Sequence, residues 1–191
     1  MSGKLFIISA PSGAGKTSLI HHSLDRLREE HAISRVVTYT TKQPRKGEAV
    51  EGVDYYFVTQ AEFEQKIGEG FFIEWSLAYG HYYGTPSSLR HRLAEGHSYI
   101  LIVDRQGAQR IKEIIPEAIL IWIYTKNLEV LKQRLILRGG ENQEEVMRRL
   151  SLAVSEIEQE VIRPFYNYHV LNEDFYETLD KLCEIFKKFL K

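Results

Sequence analysis

Eight consecutive residues, Ala10-Pro11-Ser12-Gly13-Ala14-Gly15-Lys16-Thr17, constrain this chain more than any other segment. They follow Lys4-Leu5-Phe6-Ile7-Ile8-Ser9, which reads as a strand buried on both faces, as in a parallel sheet. They precede a run from Thr17 to about Glu30 with Leu19, Ile20, Leu24 and Leu27 at helical spacing. Strand, glycine turn and helix in this order open a βαβ unit. The turn has the spacing of a phosphate-binding loop, with Ala10 in place of the usual first glycine. Gly13 and Gly15 would let successive backbone N–H groups turn inward around phosphate oxygens, where side chains would intrude. The helix adds its N-terminal N–H groups and the positive end of its dipole. Lys16 is spaced to reach the outer phosphates of a nucleotide, and Thr17 to offer its hydroxyl to Mg2+.

The rest of the chain fits a parallel sheet with an insertion. From Val36 to about Tyr83, aromatic and alternating segments separated by glycine turns predict a small mixed or antiparallel sheet. A short helix over Gln60 to Gly68 would turn Phe63 and Ile67 inward. Pro86 suits the first turn of a helix that Gly96 closes. Strands at Tyr99–Val103, Ile119–Tyr124 and Tyr168–Leu171 then alternate with helices at about 106–115, one holding Leu128, Leu131 and Leu135, about 143–162, and 174–190. Trp75 and Trp122 lie in strands as core or near-core residues. The expected organisation is a core domain of residues 1–34 and 86–191 with an inserted subdomain of residues 35–85.

Composition narrows the partners. The chain has 191 residues, 25 Lys and Arg against 26 Asp and Glu, and a net charge of −1, which argues against bulk binding of nucleic acid. No apolar run approaches the about twenty residues of a membrane span, and no signal segment is visible. The single cysteine, Cys183, cannot form an internal disulfide, which suits a cytoplasmic protein. It falls among Leu179, Leu182, Phe186 and Leu190 on an apolar helix face, where packing is its simplest role. The seven histidines show no metal-ligand spacing.

A second polar cluster spans Thr38 to Glu48. Four bases and no acid lie between Arg35 and Lys46, whereas seven acids and one base lie between Glu48 and Glu74. That reversal suits a ligand with a phosphate at one end and a donor-rich base at the other. The segments Ala10 to Ser18, Thr40 to Glu48, Gly52 to Val58, Phe72-Ile73-Glu74-Trp75, Tyr83-Gly84-Thr85-Pro86 and Asp104-Arg105-Gln106-Gly107-Ala108 occur in the order found in guanylate kinases, which the chain resembles over essentially its whole length. Arg134-Leu135, Arg138-Gly139, Arg149-Leu150 and Asn172 continue the resemblance.

The resemblance implies an α/β P-loop kinase that uses Mg2+ to move the γ-phosphoryl of ATP to GMP. It implies that the core domain carries a helical lid at about 126–150, that the inserted subdomain of residues 35–85 binds GMP, and that Ala10 to Ser18, Arg134 and Asn172 bind ATP. It implies that Arg45, Tyr55 and Tyr83 hold the GMP phosphate, that Glu48 supports the loop, and that Glu74 accepts from guanine N1–H and the 2-amino group. Thr38, Thr85 and Asp104 would complete the polar edge around the base. Lys16, Lys42, Arg138 and Arg149 would carry the chemistry, the arginines closing over the phosphates. Three positions depart from the family pattern: Lys42 for arginine, Ile102 for an acid, and Tyr124-Thr125-Lys126-Asn127 for a proline pair. Lysine keeps the charge of arginine and loses its planar fork. Two rival readings are a ribose-bisphosphate kinase of the same fold and a non-catalytic module that docks phosphorylated protein segments. Glu74, Tyr55 and Tyr83 favour GMP over the first, and an intact Lys16 and Thr17 favour catalysis over the second. The number of subunits, one or two, is left open.

Overall fold

A computed structural model of the chain describes residues 2–44, 50–78, 80–137 and 143–190. In chain order the elements are β1 (Leu5–Ser9), α1 (Lys16–Leu27), β2 (Ile33–Arg35), β3 (Thr38–Thr40), β4 (Tyr55–Phe57), α2 (Gln60–Gly68), β5 (Phe72–Ala78), β6 (His81–Pro86), α3 (Leu89–Ala94), β7 (Ser98–Ile102), α4 (Arg105–Ile114), β8 (Ile119–Tyr124), α5 (Leu128–Leu137), α6 (Gln143–Ile162), β9 (Tyr168–Leu171) and α7 (Phe175–Phe189). A five-stranded core sheet has the order β2-β7-β1-β8-β9, and a four-stranded sheet the order β4-β3-β6-β5. The pairs β2–β7 and β8–β9 are parallel. All five residues of β1 and the first five of β8 are buried, the continuous apolar run that a sheet covered on both faces requires. Among the described residues, no helix is long and apolar enough to cross a membrane.

The chain divides into two compact units, Met1–Ile7 with Ala32–Ala118, and Ile8–His31 with Ile119–Lys191. In the first, β5 alternates: Glu74 and Ser76 are buried while Trp75 and Leu77 are exposed. The opposite face of the four-stranded sheet holds an aromatic cluster under α2. There Phe63 stacks on Phe72 at 4.5 Å and on Tyr82 at 5.1 Å. Helix α2 starts with a reciprocal capping box between Thr59 and Glu62, the reason it begins at Gln60. Within the second unit, Ala14, Leu131 and Ala153 form a buried cluster, with Ala10, Leu150 and Ile157 packed against it. Cys183 is buried on α7, and burial pushes its thiol pKa up.

The inserted sheet is of the mixed kind, because β3 and β4 pair in parallel while β3–β6 and β5–β6 are antiparallel. Several other expectations need correction. Pro86 ends β6 opposite Phe72, and α3 starts three residues later. Trp75 is 38% exposed, since it stands on the outward side of β5. Ile67 is only half-buried, and Leu128 is exposed although it keeps helical spacing. Helix α1 ends at Leu27, and β2 is an additional strand of the core sheet.

Candidate active site

Strand register gathers the acceptor-side residues on one face. Directly opposed residues of paired strands share a face, and alternate residues along a strand return to it. Glu74 opposes Thr85, Ser76 opposes Tyr83, Thr40 opposes Tyr83, and Thr38 opposes Tyr55. Thr38, Tyr55, Glu74, Tyr83 and Thr85 therefore stand on the same side of the four-stranded sheet. A register irregularity between Phe72 and Glu74 makes this possible. Two residues apart in a regular strand, they would point the same way. The bulge sends the Phe72 ring to the aromatic face and the Glu74 carboxylate to the polar one.

Glu74 is 6% exposed, and its Oε1 accepts from the Thr85 hydroxyl at 2.7 Å. Its Oε2 is buried and has no hydrogen-bond partner. An orphaned carboxylate oxygen is costly unless a ligand completes it. Burial is the main cause that raises the Glu74 pKa from 4.5 to about 7. The Thr85 bond opposes the rise, the nearby Asp104 charge adds to it, and Arg110 offsets part of it.

Asp104 lies beside this pair as the N-cap of α4. Its Oδ1 accepts from Gly107 N–H at 2.7 Å, and its Oδ2 from the Ser76 hydroxyl at 2.9 Å. Tyr55 and Tyr83 place their ring centroids 6.1 Å apart. Lys42 follows β3, its N–H donating to Thr40 Oγ1 at 3.1 Å. Arg35 forms a buried ion pair with Asp54, whose Oδ2 also accepts from Val50 N–H at 2.9 Å. The Arg35 guanidinium lies 5.7 Å from the centre of the Tyr55 ring, so the pair braces that tyrosine. Arg45 and Glu48 lie outside the described residues.

In the second unit the glycine turn folds as its composition requires. Gly13 and Gly15 both have φ of 86°, a left-handed conformation that side chains resist. Gly15 is the N-cap of α1, leaving Lys16 and Thr17 as its first two residues, both half-buried. Three side chains fasten the loop. The Arg149 guanidinium donates to Ser12 Oγ, Arg134 reaches Gly13 O at 3.5 Å, and Asn172 Nδ2 donates to Ala14 O at 2.7 Å. A Cβ at Gly15 would come 2.9 Å from Asn172 Nδ2. In this structure Asn172 is thus a strut of the loop. Ser18 is exposed on the first turn of α1. Arg138 lies outside the described residues.

Sequence reading singled out neither Ser76 nor the Arg35–Asp54 pair, and gave Gly107 no role of its own. Ser76 had a usable signal, two residues beyond Glu74 in a strand. The other two depend on contacts between distant segments. No group of three or more His, Cys, Asp or Glu that could hold a metal occurs among the described residues.

The guanylate kinase family model matches residues 2–189. A guanylate kinase from Hahella chejuensis is 41% identical over 187 residues, covering 97% of this chain and 86% of the relative. One from Clostridioides difficile is 39% identical over 173 residues, covering 90% and 81%. Among solved structures, a guanylate kinase from Anaplasma phagocytophilum matches with a TM-score of 0.76 and 31% identity, covering 98% of this chain and 86% of that one.

Proposed function

The chain belongs to the guanylate kinase family, an ATP-dependent phosphotransferase family acting on GMP, and we propose how its own residues divide that reaction. The observation that carries the reading is the unsatisfied Oε2 of Glu74 in a buried polar face. Guanine presents N1–H and a 2-amino group side by side, two donors for two carboxylate oxygens. Adenine has no N1–H, so AMP would leave the carboxylate incomplete. Thr38, Thr85 and Asp104 border the same edge, while Tyr55, Tyr83 and Lys42, with Arg45 and Glu48, serve the phosphate end.

The glycine loop takes the donor. Its inward N–H groups and the start of α1 cradle the ATP phosphates, and Lys16 counters the charge of the outer two. A GMP phosphate oxygen attacks the γ-phosphorus, and the bond to the β–γ bridging oxygen breaks. ADP leaves with that electron pair, and GDP forms. The protein supplies alignment and positive charge around the equatorial oxygens. Lys16, Lys42, Arg134, Arg138 and Arg149 are the residues assigned to that charge. Asn172 and Ser12 keep the loop in shape. For Mg2+, the Thr17 hydroxyl at the mouth of the loop fits an ion that takes only one or two protein oxygens and completes its shell with phosphate and water. When bound it would neutralise phosphate charge. A cytoplasmic setting, reducing enough to keep Cys183 a thiol, belongs to the same proposal.

The test is ADP release over a panel of nucleoside monophosphates. GMP should be preferred, and Lys16→Ala should lower turnover by on the order of 10²–10³. Lys42→Arg should not reduce it. Absence of GMP-dependent ADP formation would sink the kinase reading, and a preference for AMP would defeat the role given to Glu74.

A further inference from the structure

Gly107 occupies a position where glycine is a poor local choice. It lies in the first turn of α4, and only proline favours a helix less. The cap does not demand it, because Asp104 accepts from a backbone N–H that alanine would also provide. Left-handed geometry does not demand it either, since Gly107 is not among the positive-φ glycines. Space does. A Cβ built at this position would come 3.1 Å from Val103 Cβ and 3.2 Å from Glu74 Oε2. Both are tighter than ordinary van der Waals contact. Glu74 has little freedom to retreat, because Thr85 holds its other oxygen at 2.7 Å from the opposing strand.

We infer that Gly107 is a specificity-determining positioning residue, whose missing side chain keeps Glu74 Oε2 placed for the donors on the N1–C2 edge of a purine. This rests on the guanylate kinase reading and deepens it. A methyl group at 107 has two ways to find room. It can turn the carboxylate about its Thr85 bond, which mis-aims Oε2. It can also lift the first turn of α4, which carries Asp104 away from its Ser76 partner. Both outcomes damage reading of the base. Glu74, Asp104 and Gly107 all belong to the first unit, whereas the loop that Arg134, Arg149 and Asn172 fasten belongs to the second.

The experiment compares wild type, Gly107→Ala, Glu74→Gln and the double variant. GMP and IMP, which lacks the 2-amino group, are the acceptors. Gly107→Ala should raise KM for GMP about tenfold and move the IMP-to-GMP ratio toward one. KM for ATP should stay unchanged, and the melting temperature should fall little, because the helix preference of alanine offsets part of the crowding. In the Glu74→Gln background the same substitution should add a smaller loss than in wild type, because the part that runs through that carboxylate is already gone. An unchanged KM for GMP in folded Gly107→Ala overturns the inference. So does a loss of equal size in the Glu74→Gln background, or a fall in melting temperature with equal losses on GMP and ATP, which marks packing against Val103. Calorimetry of GMP binding makes the comparison without turnover. A wild type that forms no ADP from GMP refutes the kinase reading, whereas an active wild type with an indifferent Gly107→Ala refutes only this one.

Discussion

Glu74 couples folding and ligand binding to pH with opposite signs. Its pKa in the folded chain is raised to about 7, chiefly by burial, against 4.5 for the ordinary group. Between those values the folded chain holds a proton that the unfolded chain releases. The stabilisation is therefore complete below 4.5 and is lost as pH rises through 7, a difference on the order of 3 kcal/mol. Ligand-free Glu74→Gln should consequently be more stable than wild type at pH 8, with the gap closing toward pH 5, as read from denaturant midpoints. In the proposed complex guanine pairs with the ionised form, so GMP affinity should move the other way and strengthen by roughly tenfold from pH 6 to pH 8. Glu74→Gln should remove that component, leaving only the titration of the GMP phosphate. The identity of Glu74 was legible from its motif. Its protonation behaviour was not, because that follows first from burial, then from the opposing Thr85 bond and the Asp104 carboxylate, which come from different stretches of chain. Asp54 shows the same limit. It sits next to Tyr55 in the sequence, yet only folding reveals that it neutralises Arg35, 19 residues away.

Helices and the longer strands are legible in the sequence, whereas the three-residue strands β2 and β3 are not. Helices α2 and α6 and strands β8 and β9 lie where their patterns place them. Strands β2 and β3 have three residues each, too few for a period of two to declare itself, and the parallel β3–β4 pairing joins segments 17 residues apart in register. Pro86 misled because the preference for a first helical turn is local, whereas its place at the end of β6 is set by pairing with β5. Gly84 illustrates how one element constrains another. A Cβ there would meet Phe72 at 2.7 Å and Phe63 at 2.8 Å, the two stacked rings on the aromatic face. Gly84→Ala should cost about 1–3 kcal/mol, visible as a lower denaturant midpoint with little change in slope. Because β6 also carries Tyr83 and Thr85, KM for GMP should rise in the same variant. A normal stability would mean the rings repack without strain.

The residues proposed for the acceptor and those proposed for the donor fall in different compact units. Glu74, Thr85, Tyr55, Tyr83 and Asp104 fall in the first, while the glycine loop, Arg134, Arg149 and Asn172 fall in the second. Ligands should therefore protect different amides from hydrogen exchange. GMP alone should slow exchange in β3 to β6, and ATP alone in residues 10–20 and α5. At a hundredfold excess over Kd the slowing should approach a hundredfold, about 2.7 kcal/mol. Protection by GMP confined to the loop would contradict the assignment. The net charge of −1 hides a reversal within the first unit, four bases and no acid from Arg35 to Lys46 against seven acids and one base from Glu48 to Glu74. The sheltered state of Cys183 gives a practical handle on all of it. The chain has one cysteine, which is 8% exposed and whose thiolate burial disfavours. A second cysteine introduced on either unit's surface would thus react with a maleimide dye far ahead of it. The native sequence is already a nearly silent background for single-site fluorescence, so each unit can be made to report separately on the arrival of its own nucleotide.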